Sequence, residues 1–131
     1  MVIDSSALVA IVLREPEAAA LARAVLGAAT RAVAAPTLVE ATAVLLARLG
    51  EPGRQALQGF LVSHGVSVVP MAPTAAQLAC DAYARYGKGV GNPSVLNLGD
   101  CLAYGVARAL GEPLLYKGDD FARTDVAAAP Y

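Results

Sequence analysis

Apolar and polar positions along the chain alternate between a strand period and a helix period. Val2-Ile3-Asp4 opens with a short β-branched run, and Ser5-Ser6 turns it into an apolar stretch of helical length from Ala7 to Leu13. Glu15–Leu26 is alanine-rich, tolerates Pro16 in its first turn and closes at Gly27, which predicts a second helix. Arg31–Ala35 predicts a second strand stopped by Pro36, followed by a helix over Thr37–Leu49 ending at Gly50. Arg54–His64 predicts another helix with Gly65 as its stop, and Val66–Val69 a third strand. Thr74–Tyr86 then reads as a helix opened by a Thr74-x-x-Gln77 capping box. Gly87–Leu96 is a loop rich in glycine that also carries Lys88, Asn92 and Pro93. Asn97–Leu110 predicts the last helix and Leu114–Tyr116 a fourth strand, which leaves through the turn Lys117–Phe121.

Short strands separated by helices of ten or more residues imply parallel pairing. The expected architecture is a three-layer α/β domain over residues 1–131, with a central parallel sheet of four to five strands flanked by helices. In such sheets, ligands bind beyond the carboxyl ends of the strands.

Composition narrows the function classes. With 56% hydrophobic and 16% charged residues in 131, the chain can build a core, and disorder is excluded as its general state. The first 13 residues are apolar, yet they lack a basic leading segment and carry Asp4 inside the run. They therefore predict neither a signal peptide nor a membrane span, and the expected location is the cytoplasm. Cys80 and Cys101 have no C-x-x-C spacing, and His64 is the single histidine. A Cys/His zinc site and histidine-dependent nucleophilic chemistry are both disfavoured, and the thiols are expected to be reduced and buried.

Acidic residues recur where strands end or helices begin: Asp4 after the first strand, Glu40 in the first turn of the third predicted helix, Asp100 at the start of the last helix, and Asp119-Asp120 beyond the fourth strand. Each has a local explanation. Thr37-x-x-Glu40 and Asn97-x-x-Asp100 fit helix capping, Asp119 and Asp120 fit an ordinary turn, and Asp4 fits a turn cap. Asp4 is nevertheless the only charge among the first 13 residues, in a segment built for burial. Carboxylates brought together on one sheet edge repel unless a cation joins them, and oxygen-only ligands suit Mg²⁺ or Mn²⁺.

Taken together, Met1–Ile11, Ala35-Pro-Thr-Leu-Val-Glu-Ala41, Leu96-Asn-Leu-Gly-Asp-Cys-Leu-Ala-Tyr104 and Leu114–Asp125 resemble the PIN-domain family, specifically the VapC-type ribonuclease toxins of toxin–antitoxin pairs. The likeness spans the chain in order and includes Tyr86-Gly-Lys-Gly before the third segment. It implies a Mg²⁺- or Mn²⁺-dependent endoribonuclease leaving 5′-phosphate and 3′-hydroxyl ends. By position, it implies Asp4 and Asp100 as principal metal ligands and Glu40 as a third acid. The fourth acid falls on Asp119, with Asp120 as the alternative, and Ser6 lines the site. It further implies a small antitoxin partner that brings a basic residue to the acids, and homodimerisation. The alanine- and leucine-rich helices Glu15–Leu26 and Arg54–Leu61 are either the antitoxin's groove or core.

The formal charge of −1 argues against bulk electrostatic binding of nucleic acid, but setting the four acids aside leaves the rest of the chain at +3. Lys88, Arg85, Lys117 and Arg123 are then the candidate RNA contacts, Lys88 first. Ser6 stands where a haloacid-dehalogenase-type phosphatase needs a second acid, and Pro70-Met71 where a receiver domain needs its phosphorylatable aspartate. The competing reading is a PIN-like module that binds RNA or protein without cutting, and four filled acidic positions argue against it.

Overall fold

The computed structural model describes residues 1–131. Its four strands, β1 (Val2–Ile3), β2 (Ala32–Ala34), β3 (Ser67–Val69) and β4 (Leu114–Leu115), form one parallel sheet in the order β3-β2-β1-β4. Six helices cover it: α1 (Ser5–Val12), α2 (Ala18–Gly27), α3 (Ala35–Leu49), α4 (Glu51–Ser63), α5 (Pro73–Tyr86) and α6 (Leu98–Leu110). At the outer edge of β4, Ala128 makes a single parallel bridge to Leu114 in place of a fifth strand.

The strand period of two divides the core. Val2, Ala34 and Leu114 face one way and pack with α5 and α6, whereas Ile3, Val33 and Leu115 face the other and pack with α1 to α4. Both faces are covered, which accounts for the near-continuous apolar strands. Between α5 and α6, Gly105 has no side chain because one would collide with the Ala75 carbonyl and Ala79. That close approach pulls α6 deep into the fold, with Cys101, Ala103, Val106 and Ala107 fully buried.

Several helix starts differ from the sequence reading: α1 begins at Ser5 with no separate Ser5-Ser6 turn, and α2 begins at Ala18 with Glu17 as N-cap, so Pro16 precedes it and Gly27 is its last residue. The second strand ends at Ala34 and α3 begins at Ala35, so Pro36 lies in the helix's first turn instead of stopping the strand. Thr37 is buried, no side chain caps α3, and Glu40 falls in the second turn. Likewise α5 starts at Pro73 with Ala72 as N-cap. The Thr74–Gln77 capping box does not form, and Gln77 Nε2 instead donates to Asp81 Oδ1 at 3.0 Å. The fourth helix starts at Glu51, three residues before the expected Arg54, again with a proline in its first turn.

Of the two thiols, Cys101 is buried as expected but Cys80, on α5, is exposed. In the helices offered as a groove, Leu21, Val25, Leu57 and Leu61 belong to the core. The core alternative therefore holds for them. No helix is long and apolar enough to cross a membrane.

Candidate active site

The sheet's carboxyl edge gathers the predicted acids by three different local mechanisms. Asp4 is the N-cap of α1: its Oδ2 accepts from Ser6 N at 2.9 Å and from Ser6 Oγ at 2.6 Å. The capping reading is thus correct for half of the carboxylate. The other oxygen, Oδ1, is buried and has no hydrogen-bond partner. A bare carboxylate oxygen in that position is costly, and it points to a cation or donor that completes the site.

Asp100 also caps. Its Oδ2 accepts from Asn97 N at 2.7 Å, Asn97 Oδ1 accepts from Asp100 N at 2.9 Å, and the reciprocal box opens α6. This anchors one Asp100 oxygen and leaves the other uncommitted. Glu40 does not cap: it projects from α3 toward the start of α6, where the bare Cα of Gly99 admits its carboxylate. Any side chain at Gly99 would occupy the Glu40 oxygens. Gly99 is therefore part of the site, and its sequence signal was only the small residue before Asp100.

Electrostatics tie these groups together. Burial pushes Asp100 up to about 6, with the charges of Asp4 and Asp120 adding to the rise and the Asn97 N–H and Lys88 opposing it. Burial likewise raises Asp4, helped by the charge of Glu40 and opposed by the Ser6 hydrogen bonds. Glu40 is raised by burial and then by Asp100. Three carboxyls held above their ordinary range in one place are only partly offset by Lys88. No three of them approach closely enough to close a metal cage by themselves.

The turn after β4 separates its two aspartates. Asp120 acts on Asp100 and lies 3.7 Å from Lys88 Nζ, whereas the charge of Asp119 is felt by Tyr116. The glycine loop places Lys88 here by closing on itself at its base, where Lys88 N donates to Leu96 O at 2.8 Å, and Gly89 N to Ser94 Oγ at 2.7 Å. Lys88 therefore stands opposite the acids. The other candidate cations do not. Arg85 pairs with Asp125 at 3.2 Å, and Lys117 Nζ is held by Glu15 at 2.5 Å and Glu17 at 3.1 Å. Arg123 is exposed and makes no ion pair.

The molecule's largest hollow, about 390 Å³, lies elsewhere, between α5 and α6, lined by apolar side chains including Met71, Cys80, Tyr83 and Leu102. None of its lining side chains is an acid or a base of the Asp, Glu, Lys, Arg or His type. The acidic edge, by contrast, offers oxygen-only donors, hard ligands of the kind Mg²⁺ and Mn²⁺ take.

Known proteins place the fold and the family. A family model described as "PIN domain" matches residues 1–127. A protein named Ribonuclease VapC from Mycolicibacterium smegmatis is 44% identical over 98% of both chains. Ribonuclease VapC30 from Mycobacterium tuberculosis is 42% identical over 97% of this chain and 96% of its own length. Among solved structures, VapC20 of M. tuberculosis, titled a sarcin–ricin loop cleaving toxin, superposes with a TM-score of 0.78. That match covers 99% of this chain and 98% of the other, and at 16% identity it speaks for the fold. The chain belongs to the PIN-domain family, among its VapC-type ribonucleases.

Proposed function

We propose that this protein is the toxin of a toxin–antitoxin pair and hydrolyses RNA phosphodiester bonds at the carboxyl edge of its sheet, using Mg²⁺ or Mn²⁺. The observation that carries this reading is Asp4 Oδ1, buried and unpartnered among carboxyls whose protons are held too tightly. Such a site favours a divalent cation over solvent, and its donor set fits one. The non-cutting alternative gives no reason to keep an uncompensated acid cluster in a covered fold.

In this reading Asp4 and Asp100 are the principal ligands, each with one oxygen locked by a cap and one free. Glu40 completes the acid set directly or through water. Asp120 is favoured over Asp119 as the fourth acid, because it is the one coupled to Asp100. A bound divalent ion would supply Lewis-acid polarisation of the phosphate and a water of lowered pKa. Ser6 fixes the rotamer of Asp4, and Lys88 offers an ammonium to the RNA backbone across the site. Histidine has no part, and the resemblance to VapC-type ribonucleases implies that the ends produced are a 5′-phosphate and a 3′-hydroxyl. The protein acts in the cytoplasm, as a homodimer that a small antitoxin silences by bringing a basic residue to the same acids.

Incubation of the purified protein with total RNA, with Mg²⁺ or with EDTA, beside Asp4→Asn and Asp100→Asn, tests this. Cleavage should require the ion and both aspartates. Cutting that persists in EDTA, or in both variants, would overturn the metal mechanism.

A further inference from the structure

Lys117 is the residue in the acidic region whose chemistry the reading above leaves unused. Its ammonium is half-buried between two carboxylates, 2.5 Å from Glu15 and 3.1 Å from Glu17, both in the turn between α1 and α2. That turn is itself held in a fixed shape: Arg14 adopts a positive φ of 55°, and Glu15 N donates to Ala10 O at 3.0 Å. The pairing spans about a hundred residues of sequence, and it ties the exit of β4 to the far end of α1. At the same residue the backbone does something else. Lys117 N donates to Ser6 Oγ at 3.0 Å, and Ser6 Oγ in turn donates to Asp4 Oδ2 at 2.6 Å.

We propose that Lys117, clasped by Glu15 and Glu17, is a positioning residue that acts through its own amide and the Ser6 hydroxyl to hold Asp4 with Oδ1 directed into the metal site. The proposal rests on the metal-site reading of Asp4. The Lys117 amide occupies one lone pair of Ser6 Oγ, so the hydroxyl proton is directed onto Asp4 Oδ2. With Oδ2 held by two donors from Ser6, the carboxylate cannot rotate its second oxygen out of the pocket. Side-chain anchoring of Lys117 keeps its amide in register with Ser6 and sets the start of the turn that carries Asp120. Groups that orient a metal ligand in this way typically contribute tenfold or more in metal affinity. A cation committed to two acids in this manner is not a free contact for RNA phosphate.

The test is Mn²⁺ binding to the purified full-length protein, measured by titration calorimetry and by the thermal shift that Mn²⁺ produces. It compares the wild type with Lys117→Met, Lys117→Arg, and the pair Glu15→Gln with Glu17→Gln. Positioning predicts that Lys117→Met and the double glutamine variant each weaken Mn²⁺ binding about tenfold, and that Lys117→Arg restores most of the loss. In a Ser6→Ala background, Lys117→Met should add little, because both act along one path. A pure charge effect has a different signature, since deleting a nearby cation would leave Mn²⁺ binding unchanged or tighter. That outcome overturns the proposal, as does a loss of melting temperature with Mn²⁺ affinity intact. At saturating Mn²⁺, the KM for RNA should be unaltered, and a several-fold rise would reassign Lys117 to phosphate contact. If the wild type itself neither binds Mn²⁺ nor cuts RNA, the metal reading falls with this one. If it does both and Lys117→Met binds Mn²⁺ normally, the positioning role alone falls.

Discussion

Two aspartates of this fold, Asp100 and Asp125, occupy opposite electrostatic situations within one helix's reach. Burial holds Asp100 up at about 6 beside other acids, while Asp125 is drawn down to about 2. Asp125 accepts from Tyr104 Oη at 2.6 Å and pairs with Arg108 at 2.9 Å and Arg85 at 3.2 Å, so its charge is satisfied within the protein. Both groups are fixed by α6, which carries Asp100 in its first turn and Tyr104 and Arg108 further along. The network around Asp125 pins the C-terminal segment to the domain and asks for nothing more. The cluster around Asp100 is incomplete by one positive charge or more, which is the physical difference between a structural carboxylate and one prepared for a ligand.

The sharpest way to break this comparison is to neutralise each member in turn. Asp4→Asn or Asp100→Asn should lower RNA cleavage by about a hundredfold or more, since each removes a charge the metal needs. Asp125→Asn should leave cleavage within about threefold of wild type, because its carboxylate touches no part of the site. Gel assays on one RNA at fixed Mg²⁺ decide the matter. Comparable losses from Asp125→Asn and Asp100→Asn would erase the distinction.

Stability should respond in the opposite sense. Asp125→Asn weakens two ion pairs and a charge-assisted hydrogen bond in a partly exposed setting, for a loss of about 1–2 kcal/mol. Metal-free Asp100→Asn keeps an acceptor for Asn97 N while removing like-charge repulsion, and should gain about 1 kcal/mol at pH 7.5. Urea unfolding of the three proteins in EDTA measures both.

The sign of the pH dependence follows from the same shifts. Asp100 is raised to about 6 in the folded state, and Asp4 and Glu40 are raised as well, so from the ordinary carboxylate range upward the folded chain binds protons that the unfolded chain has lost, for Asp100 up to about 6. Metal-free stability should therefore fall as pH rises through that window. Asp125 contributes the reverse, a stabilisation present above the ordinary carboxylate range and lost as pH falls toward about 2. Saturating Mn²⁺ should flatten the first slope and leave the second. Melting temperatures across pH 2 to 8, with and without the ion, would show whether the two regions separate.

How much of this was legible in the sequence divides along the same line. The strand–helix alternation was readable because each short strand is bounded by turn residues, and Asp4 stood out as one charge in an apolar run. Asp100 was visible through the Asn97 box. Helix starts were missed where a proline sits in the first turn, since proline ends one element and begins the next equally well. That error made Glu40 look like a cap, when the N-cap lies three residues earlier, at Ala34, and leaves Glu40 in the second turn of α3. The choice between Asp119 and Asp120 depends on the direction the chain takes after Gly118, at φ 95°, and no local pattern encodes that direction. Partners distant in sequence were also out of reach: Lys117 with Glu15 and Glu17, and Arg85 and Arg108 with Asp125.

The smallest effect expected is also the one that probes the cation standing opposite the acids. Lys88 lies 3.7 Å from Asp120 on an exposed loop, and its charge lowers Asp100 against the effect of burial. Lys88→Gln should move the Asp100 midpoint of the metal-free protein above about 6, which carboxyl NMR would resolve. With Mg²⁺ present, the KM for RNA should rise about two- to fivefold, and the salt dependence of binding should lessen by about one counter-ion. An Asp100 midpoint that stays in place, with RNA binding reduced, would mean that Lys88 serves phosphate alone. A midpoint that moves with RNA binding unchanged would make it an internal counter-charge, a weak version of what Arg108 does for Asp125.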